Sequence, residues 1–188
     1  MKDLIKRIHN NAKAKGFYDK PISVKTRLAL INTELNEAIE ADRTGYNCKG
    51  LDRYKKGLEN SKNFTNEFEL YWKNRLEDEI ADAKIRILDL VGSLGKEDEF
   101  IEEYKNYKSE TIDRELDNIC EDLFDITGTI YLALLRWSEN IGVGLDRLAI
   151  ACYEIEQLAK HHNIDLDWHI EMKMRYNETR EYKHGKSY

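Results

Sequence analysis

Two stretches of this chain carry carboxylates at helical spacing: Thr33-Glu34-Leu35-Asn36-Glu37 and Asp78-Glu79-Ile80-Ala81-Asp82. Glu34 and Glu37 stand three residues apart, as do Glu79 and Asp82, and on a helix positions i and i+3 are neighbours. If the two helices pack together, four carboxylates converge. Like charges about 4 Å apart repel by roughly 4 kcal/mol per pair at an effective dielectric near 20. Such a cluster persists only where acids take up protons or cations lie between them, and divalent metal is the economical solution. The bland alternative is that any single Glu-x-x-Glu is a solvated helix face. The surroundings of the second stretch weigh against it. Leu76, Ile80, Ala83, Ile87 and Leu94 form one apolar stripe, and Ala81, Ile85 and Leu88 form another. Glu79, Asp82, Arg86 and Asp89 run between them, and burying such a row without compensation is costly.

Further candidates lie at the two ends of the chain. Lys173, Asn177 and Arg180 fall at i, i+4 and i+7 on one helix face, a spacing able to grip phosphate. Their alternative is a solvated helix end whose cations suit the helix dipole. Phe17 and Tyr18 are placed either to stack on a nucleobase or to pack beside a helix end. His184 reaches a phosphate or is a tail residue. His161 and His162 have no Cys or acid at ligand spacing, so zinc is a poor reading. A di-iron bundle wants Glu-x-x-His on each of two helices, and the sequence has it once, at Glu181-Tyr182-Lys183-His184. Neither GxxxxGK[ST] nor GxSxG occurs, which sets aside P-loop and acyl-transfer chemistry.

The elements that must position these residues read as helices. Residues 2–15 place Ile5, Ile8 and Ala12 on one stripe and stop at Gly16. Ser23 is an N-cap for a helix to about residue 43, with Leu28, Ile31, Leu35, Ala38 and Ile39 inward and Glu34 and Glu37 beside that stripe. Residues 44–63 hold Gly45, Gly50 and Gly57 among polar side chains and predict a long loop with one helical turn. One long helix is predicted from 65 or 66 to about 94, ended by Gly92 and Gly95. Residues 96–112 predict a surface connection or short helix. Periodic apolar positions predict helices over 112–140 and 145–161, and a last one starting at Asp165 or Asp167 with Ile170 and Met174 inward. The expectation is an all-α bundle of five or six main helices in one domain spanning 1–188, with the site between the second and third helices.

One internal echo adds to this. Glu115-Leu116-Asp117-Asn118 with Glu121 echoes Glu34-Leu35-Asn36-Glu37 with Glu40, and Ile150-Ala151-Cys152 echoes Ile80-Ala81-Asp82. The pattern suggests a degenerate repeat whose second copy lost its acids, or a chance likeness between amphipathic helices.

Composition bounds the function. With 188 residues, 41% hydrophobic and 35% charged, the chain is long enough for a sizeable core. Its longest apolar runs, Ile130 to Leu135 and Leu148 to Tyr153, are too short to span a bilayer, so no membrane partner is expected. The N-terminus lacks the apolar run of a secretory signal. Cys48, Cys120 and Cys152 form no CxxC and read as reduced thiols of a cytoplasmic protein. A net charge of −6 argues against a nucleic-acid duplex as partner but leaves room for a small anion held through metal.

Three blocks carry a resemblance. Ile8-His9 through Ala12, Gly16-Phe17-Tyr18, and Leu30-Ile31-x-x-Glu34-Leu35-x-Glu37-Ala38-x-Glu40-Ala41-x-Arg43 resemble the opening of the MazG-like nucleotide pyrophosphohydrolases. Glu77-Asp78-Glu79-Ile80-Ala81-Asp82-x-x-x-Arg86-x-Leu88-Asp89 is similar to their second metal-binding helix. Asp165-Leu166, His169-Ile170-Glu171, Lys173-Met174, Tyr176-Asn177, Thr179-Arg180 and Lys183-His184-Gly185-Lys186 are similar to their closing segment. The spacing between the two acid motifs is long, and residues 96–150 have no counterpart in the minimal family arrangement. The resemblance implies hydrolysis of a nucleoside triphosphate (NTP or dNTP) to the monophosphate and pyrophosphate. It further implies Mg²⁺, with Mn²⁺ as an alternative, on Glu34, Glu37, Glu79 and Asp82. Substrate contacts would come from Phe17, Tyr18, Arg86, Lys173, Asn177, Arg180, His184 and Lys186, in a homodimer. The rival is a non-catalytic helical module that binds metal or nucleotide.

Overall fold

Helices α2 (Val24–Arg43) and α5 (Leu76–Leu94) form the central pair of a computed structural model that describes residues 1–110, 118–138 and 144–185. Their facing stripes, Leu28, Ile31, Leu35 and Ala38 on one side and Ile80, Ala83 and Ile87 on the other, are all buried. Ser23 caps α2 by accepting from the Thr26 amide at 3.1 Å, as its residue type predicts. Around this pair pack α1 (Lys2–Ala14), α6 (Glu97–Glu110), α7 (Ile119–Ser138), α8 (Leu145–His161) and α9 (Leu166–Thr179). The described residues contain no strand, and the molecule is all-α as expected. No helix among them is long and apolar enough to cross a membrane.

The predicted long helix from 65 to 94 is two helices. A short α3 (Lys55–Glu59) precedes α4 (Phe64–Tyr71), and the chain then breaks before α5. Asn74 takes φ 61° in the break, and its amide donates to Asp78 Oδ2 at 2.9 Å. The break releases Trp72 into a second apolar cluster with Cys48, Leu58, Phe64, Phe68, Met172 and Tyr176. The region 44–63, expected as a long loop with one helical turn, contains a 3₁₀ turn (Asp52–Tyr54) followed directly by the short α3, folded down onto α9.

Two more boundaries differ. Residues 97–110 make a full helix that buries Phe100 and Tyr104. In the helix expected over 112–140, Asn118 Oδ1 accepts from the amides of Cys120 and Glu121 at 3.0 and 3.3 Å, so α7 starts at Ile119; residues 112–117 lie outside the described residues. Glu121 is thus in the first turn of α7 whereas Glu40 is in the last turn of α2, and the internal echo does not set like positions against like.

Gly92 does not end α5, which closes at Gly95 with φ 63°. It lies where α1 crosses, and a Cβ there would stand 2.8 Å from His9 Cβ. At the other end of α1, Gly16 has φ 80° and sits under the Tyr182 ring. The Lys183 amide donates to the Lys15 carbonyl at 2.8 Å, tying the closing segment to the first turn.

Candidate metal and phosphate site

The pairing of α2 with α5 brings Glu34 up against Glu79 and Asp82. One carboxylate oxygen from each lies within 4.8 Å of the others. Glu34 and Glu79 are buried and Asp82 is half-buried. Glu37 lies one turn beyond Glu34, exposed, lining the same cavity without joining the three.

Two cations reach the acids. Arg86 Nε donates to Glu34 Oε1 at 2.5 Å. The buried Lys173 ammonium, carried in by α9, lies 2.6 Å from Asp78 Oδ2 and 2.8 Å from Asp82 Oδ2. Lys173 is thus committed to carboxylates and does not stand free with Asn177 and Arg180 as the i, i+4, i+7 spacing suggests. Its own burial would lower the ammonium pKa, but Asp78, Asp82 and Glu79 outweigh that and raise it. Burial also raises the Glu34 carboxyl, reinforced by Asp82 and opposed by Arg86. Burial pushes Glu79 up to about 9, with Lys173 opposing and Asp82, Asp78 and Glu34 adding to the rise. Asp78 is raised as well, chiefly by burial. Fully ionised, Glu34, Asp78, Glu79 and Asp82 would carry two more charges than Arg86 and Lys173 offset, an excess that the raised carboxyls meet by keeping protons and that one divalent ion would meet instead.

The cavity above these acids measures about 660 Å³, within the range of small-molecule sites. Its wall includes Phe17, Arg86, Lys173, Asn177, Arg180 and His184, all expected from the sequence, Asp89 from the charged row on α5, and Lys15, Arg27 and Lys73, which were not singled out. Asn177 is 8% exposed and its Oδ1 has no hydrogen-bond partner among the described residues. Arg180 Nη2 donates to the His184 carbonyl at 3.3 Å, and Phe17 meets the His184 ring edge-on at 5.0 Å. Tyr18 stands back from the cavity; the Arg27 guanidinium lies 4.0 Å from its ring centre and His9 packs edge-on at 4.6 Å. Lys186 lies outside the described residues.

Sequence reasoning passed over Asp78 as a partner for Lys173 and Asp89 as a partner for His9 Nδ1, 2.9 Å away, and for Arg27 Nη1, 3.5 Å away. Asp78 carried a signal: it precedes Asp82 by four residues and so shares its face. Glu77, next to it, is buried for another reason, since both its oxygens accept from the Cys48 amide at 2.9 and 2.8 Å.

Comparison with family models, with curated proteins and with solved structures gives no match for this chain. Its chemistry is therefore read from its own side chains.

Proposed function

We propose that this chain is a Mg²⁺-dependent nucleoside triphosphate pyrophosphohydrolase of the MazG-like kind, taking an NTP or dNTP to its monophosphate and pyrophosphate. The observation that carries the reading is the meeting of Glu34 on α2 with Glu79 and Asp82 on α5 at the floor of a cavity walled by cations. The donor set fits the ion: three hard carboxylates within 4.8 Å of one another suit Mg²⁺ or Mn²⁺, and both tolerate water as remaining ligands. Glu34, Glu79 and Asp82 would hold it, with Glu37 at the rim to extend the set. When bound, the ion neutralises a polyphosphate and lowers the pKa of a coordinated water.

The protein's own groups do the remainder. Lys173 fixes Asp82 against Asp78, and Arg86 fixes Glu34, so the carboxylates are pre-positioned. Asn177 and Arg180 face the cavity where a phosphate chain leaving the acids would run. Lys15 and Lys73 on the wall offset charge on a pyrophosphate leaving group. Phe17 offers an apolar edge at the same wall. A carboxylate of this set takes the proton of the attacking water.

The non-catalytic module keeps one observation in its favour, the partial self-neutralisation of the acids by Lys173 and Arg86. Pyrophosphate release from an NTP and dNTP panel, with and without Mg²⁺, separates the two. Turnover is expected only with the metal, and Glu79→Gln or Asp82→Asn should lower it on the order of a hundredfold or more while the helical circular dichroism stays. Metal uptake with no turnover on any nucleotide would instead establish the binding module.

A further inference from the structure

The acids on the cavity floor have a second cross-helix pair two turns away. Arg27 precedes Glu34 by seven residues on α2, and Asp89 follows Asp82 by seven on α5. Seven residues are close to two turns, so each keeps the face of its acid and stands about 10.5 Å along the helix from it. The two helices run antiparallel, and the pair closes between them: Arg27 Nη1 lies 3.5 Å from Asp89 Oδ2, with side chains 13% and 17% exposed. Both residues line the cavity that holds Glu34 and Asp82. A guanidinium has five N–H donors, and this long contact is the one hydrogen bond the Arg27 guanidinium makes among the described residues. The Tyr18 ring supports it, 4.0 Å away at the centroid. Asp89 is held by His9 Nδ1, 2.9 Å from Oδ1, and each of its oxygens keeps a further lone pair. The wall therefore presents spare donors on one side chain and two acceptors on the next, each fixed by a neighbour.

We propose that Arg27 and Asp89 read the base of the triphosphate, and that the base is guanine. The assignment rests on the proposed activity and names the substrate for it. With the phosphates at the acid floor, a nucleoside extended along α2 and α5 passes Leu30 and Arg86, which lie between the two pairs on the same wall. Its base then arrives level with Arg27 and Asp89. Guanine presents three groups in order along its Watson–Crick edge: the O6 acceptor, the N1–H donor and the 2-amino donor. Arg27 answers the oxygen, and the two carboxylate oxygens of Asp89 answer the two donors, bonds strengthened by the charge on each side chain. Adenine sets its N1 lone pair against the carboxylate. Uracil and thymine offer one donor between two carbonyls, so one Asp89 oxygen faces a lone pair. Cytosine carries one donor and two acceptors, which leaves the second Asp89 oxygen unanswered, and without a second ring it reaches less far from the floor.

Pyrophosphate release by the full chain with Mg²⁺ tests this without any variant. The kcat/KM for GTP or dGTP should exceed that for ITP or dITP, whose hypoxanthine lacks only the 2-amino group. One hydrogen bond lost at a charged acceptor corresponds to a factor on the order of ten to a hundred. Adenine, cytosine and uracil nucleotides should be slower than guanine by at least as much. Asp89→Asn puts an amide donor in place of one carboxylate oxygen. It should lower turnover of the guanine nucleotide by a similar factor and raise that of the xanthine nucleotide, whose C2 carbonyl accepts where the 2-amino group of guanine donates. Equal kcat/KM for guanine and hypoxanthine nucleotides overturns the assignment and leaves the activity standing. So does a faster nucleotide of any other base, or an Asp89→Asn chain with intact helical signal that still prefers guanine. Absence of turnover on every base fails the activity itself, and the assignment falls with it.

Discussion

Glu79 shows what the site demands at the level of one side chain. Its carboxyl, ordinarily near 4.5, is pushed up to about 9, first by burial and then by Asp82, Asp78 and Glu34 over the opposing pull of Lys173. Between those two values the unfolded chain has lost the proton and the folded chain keeps it. The metal-free protein therefore loses stability as pH rises through that window, by about 3 kcal/mol at pH 7 from this group. Denaturant unfolding of the metal-free protein at pH 5 and pH 8 should show the decline, Glu79→Gln should flatten it, and Mg²⁺ should recover more at pH 8 than at pH 5. An equal slope in the Glu79→Gln variant would remove the residue from the cluster's proton balance. Spacing along the chain pointed to Glu34, Glu79 and Asp82, but the same i, i+3 rule also put forward Glu37, which stays exposed and outside the three. It was not enough for Lys173: its partner Asp78 sits 95 residues away, and which acid it meets depends on how α9 docks.

Gly92 decides how closely two elements can approach. In sequence it looks like the end of α5, yet it lies inside that helix and lets α1 come within van der Waals contact through His9 and Ile5. That approach is what places His9 Nδ1 2.9 Å from Asp89 on the cavity wall. Gly92→Ala should cost roughly 1–3 kcal/mol by overpacking, read as a lowered melting temperature. Gly57→Ala in α3, where a Cβ meets nothing within 4 Å, should cost nothing. Equal effects of the two would mean that α1 tolerates displacement. The break between α4 and α5 was hidden for a related reason. Residues 64–94 hold no proline, and Asn74 adopts its left-handed turn because Asp78 accepts its amide and Trp72 has an apolar cluster to enter. Those are tertiary gains that periodicity does not register. Helix type was legible where an apolar stripe had a partner, as in α2, α7 and α8, and boundaries were not legible where a cap or a remote cluster set them.

At the scale of the molecule, the described residues build two apolar clusters, one within the bundle and a smaller one where residues 48–72 cover α9. The bundle was foreseen, and the smaller cluster was not, because its members are spread among polar residues and only fold against Met172 and Tyr176. Its presence has an optical consequence. Trp72 and Trp168 lie with ring centroids 4.8 Å apart against a face of α9 other than the one carrying Lys173 and Asn177. Of the three tryptophans in the chain, one is therefore carried by the helix that a bound polyphosphate would press upon and another packs against it. Saturating the protein with Mg²⁺ and a non-hydrolysable triphosphate should change its intrinsic emission, and Trp72→Phe with Trp168→Phe should silence the change. Emission that stays constant while calorimetry records binding would show α9 to be rigid. In the other outcome the protein carries its own fluorescent gauge of occupancy, with no label attached.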